Sequence, residues 1–91
     1  MWNGAMTITT QTVADKIATY LHHEITLPHL VDWAECAMMD GELEERSAGV
    51  LSAVIARLGV ADVRAFGLAW EDCEQLLHQL GYSPRVEIVA A

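Results

Sequence analysis

The residues best placed to do chemistry in this chain are carboxylates. Six acids stand between Asp32 and Glu45 (Asp32, Glu35, Asp40, Glu42, Glu44 and Glu45), with no Lys or Arg among them. A surface of one sign speeds encounter with the opposite sign and rejects wrong partners. Trp33 lies within the run and is of the residue type that anchors protein interfaces. The chemistry expected is therefore recognition of a basic protein partner through Asp32, Trp33, Glu35, Asp40, Glu42, Glu44 and Glu45. The plainer reading makes the same acids a solvated, solubility-giving face. Glu71, Asp72 and Glu74 form a second, shorter acidic stretch.

Metal and nucleophile chemistry have fewer residues to draw on. His29, Asp32 and Cys36 are spaced three and four apart, which puts them on one face of a helix. Zinc, nickel or copper accepts such donors, so a small metal-binding protein is the alternative reading. No CxxC, HxxxH or HExxH accompanies them, and no cofactor is expected. The segment Asp40-Gly41-Glu42-Leu43-Glu44-Glu45 lacks the alternating ligands of a calcium loop. Cys73 falls on an apolar stripe, which predicts a buried, inert thiol, while Cys36 has no basic neighbour to activate it. Ser47, Ser52 and Ser83 lack a nucleophile-elbow context. None of the three follows an aspartate, as the prosthetic-group serine of an acyl carrier protein does. An enzyme is not expected.

The whole chain fits the first reading. Its 91 residues make one domain, and 53% hydrophobic residues suffice for one compact core. Thirteen acids against five bases, a formal charge of −8, argue against direct binding to nucleic acid or to an anionic membrane. No run of apolar residues is long enough for a membrane span, and residues 1–6 do not read as a secretory signal. Two cysteines are too few for a disulfide framework, so reduced thiols in a cytoplasmic protein are expected.

Four helices must position these residues. Residues 1–10 read as a flexible arm and 11–91 as a single helical domain. The first helix is predicted from about Gln11 to His23, with Val13, Ile17, Tyr20 and Leu21 as its stripe. His22 and His23 sit in its last turn, where imidazolium meets the helix dipole. The second starts at an N-cap Thr26 with Pro28 in the first turn. It runs with Leu30, Val31, Ala34, Ala37 and Met38 inward to Asp40, and Gly41 is expected in the left-handed position beyond it. The third is predicted from Glu42 to Leu58, with Glu42, Glu44 and Glu45 in its first turn and Arg57 in its last. Leu43, Val50, Leu51, Val54 and Leu58 form its core stripe, beside a small-residue stripe of Gly49, Ala53 and Ala56. The fourth runs from about Trp70 to Leu80, with Trp70, Cys73, Leu76, Leu77 and Leu80 on one side. Residues Arg85–Val89 alternate like a strand, which must pair with residues 62–66, pair with another chain, or lie extended on the helices. The expected fold is mainly α, a compact four-helix domain with at most a short C-terminal strand element. A homodimer through that strand or through the small-residue stripe is a further expectation.

Two stretches resemble known proteins. Tyr20-Leu21-His22-His23-Glu24-Ile25-Thr26-Leu27-Pro28-His29-Leu30-Val31-Asp32-Trp33-Ala34 resembles the opening of small acidic bacterial immunity-like helical proteins, where a short helix and turn lead into a helix carrying Trp-Ala. That resemblance implies a protein that binds and silences a toxin, often a basic nuclease. Phe66-Gly67-Leu68 through Leu76-Leu77, with Leu80-Gly81-Tyr82 and Val86-Glu87-Ile88, is similar to the C-terminal end of helix-turn-helix antitoxins. That second resemblance implies an antitoxin able to contact an operator. The acids Glu71, Asp72 and Glu74, with no base beside them, would keep the fourth helix off phosphates.

Overall fold

A computed structural model describes residues 7–63, 67–85 and 88. Strand β1 (Thr7–Ile8) leads into helix α1 (Thr10–Leu21), followed by α2 (Leu27–Asp40). Strand β2 (Glu42–Leu43) and a 3-10 turn at Glu45–Ser47 join α2 to α3 (Ala48–Gly59), and α4 (Trp70–Gln79) follows. The fold is mainly α, as expected.

Each helix start has a local cause. Thr9 caps α1 reciprocally with Thr12: the Thr12 amide donates to Thr9 Oγ1 at 3.2 Å and the Thr9 amide donates to Thr12 Oγ1 at 3.1 Å. Thr26 caps α2 by accepting from the His29 amide at 3.3 Å, with Pro28 in the first turn where no amide is needed. At α4 the Ala69 amide donates to Asp72 Oδ2 at 2.8 Å. The helices close on one apolar core in which Ile8, Val13, Ile17, Leu30, Leu51, Ile55, Leu58 and Cys73 are fully buried. No polar or charged side chain is buried among the described residues.

The structure corrects several expectations. Thr7, Ile8, Thr9 and Thr10 belong to the fold rather than to a loose arm: Ile8 is in the core and Thr9 is a helix cap. The third helix starts six residues later than predicted, at Ala48. Residues Glu42–Leu43 instead pair in parallel with Thr7–Ile8, in register Thr7 with Glu42 and Ile8 with Leu43. The Glu44 amide extends this ladder by donating to the Ile8 carbonyl at 2.8 Å. Glu42, Glu44 and Glu45 are therefore not a first helical turn, and the helix-dipole argument for them falls.

Removing Leu43 from the helix also resets the apolar phase of α3. Leu51, Val54, Ile55 and Leu58 point inward, while Val50 is 41% exposed. Met38 on α2 and Trp70 on α4, both predicted inward, are 49% and 40% exposed. The short strand pair lies at the N-terminal side of the molecule, not the C-terminal. Asp62 and Val63 are turn and bend, and Arg85 and Ile88 are not in a strand. The rest of the predicted pairing between 62–66 and 85–89 falls outside the described residues.

Gly41 is needed for a reason other than the one predicted. Its backbone is extended (φ −82°, ψ 151°), a conformation open to any residue. A Cβ there would run into Ile8 Cδ1 and lie 2.8 Å from the Ala37 carbonyl oxygen. The bare backbone lets the buried Ile8 side chain lie against the end of α2. The left-handed helix ends are elsewhere, at His23 (φ 62°) after α1 and Gly81 (φ 95°) after α4.

Candidate functional site

The acidic segment begins on the outer face of α2. Leu30, Val31, Ala34 and Ala37 turn inward, which leaves His29, Asp32, Glu35, Cys36, Met39 and Asp40 exposed on the other side. From Asp32 to Asp40 the helix advances about 12 Å, so the carboxylates form a line rather than a cluster. Beyond Gly41 the line continues with Glu42, exposed on β2, and Glu45, exposed in the 3-10 turn. Glu44 is half-buried, and its main chain serves the strand ladder.

The electrostatics of this face are open. Among the described residues, none of Asp32, Glu35, Asp40, Glu42, Glu44 or Glu45 forms a salt bridge. The ion pairs there are His22 with Glu24 at 3.9 Å and Arg57 with Asp72 at 3.7 Å. Arg57 is drawn to the other side of α3, where its Nη2 also donates to the Gly67 carbonyl at 3.0 Å. The Lys16 ammonium lies 5.7 Å from the centroid of the Trp33 ring, within cation–π range. Protein-family models, curated proteins and solved structures were all compared with the chain, and none matches.

Trp33 divides its surface between two tasks. It is half-buried and packs against the core, and Lys16 lies over its ring. It also lines a shallow depression of about 590 Å³ with Thr26, Pro28, His29, Asp32 and Cys36. This depression holds the three residues of the metal alternative. Helical spacing puts His29, Asp32 and Cys36 on one face, but among the described residues no group of three or more His, Cys, Asp or Glu comes together to hold a metal ion. No helix among the described residues is long and apolar enough to cross a membrane.

The two thiols differ sharply. Both cysteines are free, Cys36 exposed and Cys73 buried. Burial pushes the Cys73 thiol up from 9.0 to about 11, Asp72 adds to the rise, and the Arg57 guanidinium partly offsets it. Cys73 is a core residue, as its stripe predicted.

A second surface feature escaped the sequence reading. A groove of about 540 Å³ runs between α1 and α4, floored by Leu21, Trp70, Leu77 and Tyr82, with Asp15, His22 and Arg85 among its polar lining. Trp70 and Tyr82 are 40% and 39% exposed. One signal is present in the sequence: an aromatic residue at the first position of the fourth helix, Trp70, and another, Tyr82, just beyond its end.

Proposed function

We propose that this protein is an acidic interaction module that binds and neutralises or regulates a basic protein, in the manner of immunity and antitoxin proteins. Asp32, Glu35, Asp40, Glu42 and Glu45 steer the partner in, and Glu44 adds its charge from a half-buried position. The exposed part of Trp33, at the edge of the same face, contributes aromatic contact. The mechanism is occlusion: carboxylates that form no salt bridge among the described residues accept Lys and Arg from another protein, and the bound module covers that protein's working surface. The observation that carries this reading is the absence of a salt bridge to any of the six acids among the described residues. Carboxylates already paired within the fold would have little field left to offer.

The test begins with affinity capture from the protein's own cells and proceeds to quantitative binding of the captured basic protein. Affinity should fall roughly tenfold or more between 50 and 500 mM salt, since exposed charges are screened over about 3 Å at molar salt against 10 Å at 0.1 M. A combined Asp32→Asn, Glu35→Gln, Asp40→Asn, Glu42→Gln, Glu45→Gln variant should lose association rate more than it changes dissociation rate. Binding that ignores salt, or that survives these five substitutions, would overturn the proposal.

A further inference from the structure

Trp33 already accepts one cation. The Lys16 ammonium lies 5.7 Å from the centroid of its ring, drawn by the negative face of the π-system. Lys16 is not among the residues that line the shallow depression on the same tryptophan, so the ring has surface in two different surroundings. In the depression it meets Asp32, an exposed carboxylate that forms no salt bridge among the described residues. Thr26, Pro28, His29 and Cys36 complete the lining. Resting on the reading of this face as the binding surface for a basic protein, we propose that the depression takes the guanidinium of an arginine on that partner, stacked on Trp33 and paired with Asp32.

The lining selects arginine among cations. A guanidinium is flat and weakly hydrated, stacks on aromatic faces, and presents parallel N–H donors to a carboxylate. A lysine ammonium is a compact, strongly hydrated point charge and gains less from a ring beside a carboxylate. Trp33 and Asp32 offer the guanidinium both contacts in one depression, and Pro28 gives its methylene stem an apolar neighbour. A metal ion is not served by the same lining, since His29, Asp32 and Cys36 do not come together as a metal-holding group. The positive end of α2 opposes a cation, but its reach is short. Thr26 accepts from the His29 amide at 3.3 Å, and the dipole's field falls off within the first turn, whereas Asp32 and Trp33 stand in the second. The rest of the acidic line brings a basic partner in; the depression fixes where it is gripped.

Nitrogen-15 NMR of the full chain tests it, at constant ionic strength and at about pH 8, above the ordinary titration range of imidazole. The probes are N-acetyl-arginine amide and N-acetyl-lysine amide, each titrated from about 1 to 50 mM. The indole N–H signal of Trp33, identified by its loss in Trp33→Phe, should shift saturably with the arginine probe. Half-saturation should come at a concentration at least about threefold lower than with the lysine probe. Asp32→Asn should raise the arginine half-saturation about threefold or more. Glu71→Gln on α4 removes the same charge outside the depression and should change it less than about twofold. Equal responses to arginine and lysine would overturn the proposal, because charge alone would then explain both. So would a silent Trp33 signal, a shift confined to the Trp70 indole, or an effect of Asp32→Asn no larger than that of Glu71→Gln. None of these results touches the salt response of the captured basic protein, so failure of the arginine site and failure of the acidic face are read separately.

Discussion

Cys36 and Cys73 carry the same thiol into opposite surroundings, and that contrast can be measured. In the native protein one thiol equivalent should react quickly with a colorimetric disulfide reagent and the second only on unfolding; two fast equivalents would contradict the burial of Cys73. The raised thiol also has a consequence for stability. Unfolded Cys73 ionises from pH 9.0, whereas folded Cys73 keeps its proton to about 11. Between these values the folded state binds more protons, so its stability falls as pH rises and is unaffected by this group below the window. The loss is on the order of 3 kcal/mol across the window, read as the fall with pH of the wild-type urea-unfolding free energy that Cys73→Ala does not show. His23 presents a different residue-scale cost. Its backbone is left-handed (φ 62°), and its exposed side chain makes no hydrogen bond among the described residues. Relief of that strain, less the added freedom of glycine in the unfolded chain, gives His23→Gly a gain of about 0.5–1 kcal/mol in thermal or urea unfolding.

At the scale of elements, the strand pair is the part of the fold that local sequence conceals. The starts of α2 and α4 were legible because Thr26-Leu27-Pro28 and the acids after Trp70 are local signals for helix starts. The start of α3 was not, because Glu-Leu-Glu-Glu after a glycine has the composition of a helix start as well. What decides against it is a hydrogen-bonded partner, Thr7–Ile8, separated from it by two helices. Nothing within a few residues of Glu42 reports that pairing. The same error misplaced Val50, whose inward position depended on continuing the helical phase from Leu43. Thr9 and Thr12 could have been recognised as a cap, since a hydroxyl three residues after another can reciprocate. Gly41 shows how tightly the pair is held. Gly41→Ala forces a methyl against Ile8, which is fully buried, and against a main-chain oxygen. The expected cost is about 1–3 kcal/mol, seen as a lower urea midpoint with an unchanged slope.

For the molecule as a whole, charge and core are cleanly separated. The described core contains no buried polar or charged side chain, and the carboxylates of the α2 face stay outside it. That outward placement was readable from the spacing of Leu30, Ala34 and Ala37 alone. The lack of a salt bridge to these acids among the described residues was not, because it depends on where Lys16 and Arg57 go: one to an aromatic ring, the other to the loop before α4. The groove was hidden for a related reason, since it is made by two helices distant in sequence and a segment after the second. The β1–β2 ladder gives the molecule one more property. It ties residues near the amino terminus to the bend that carries Glu42, Glu44 and Glu45. A fusion partner or purification tag attached just before Thr7 would thus pull on that acidic bend, and assays that grip the protein from that side would report on a disturbed bend.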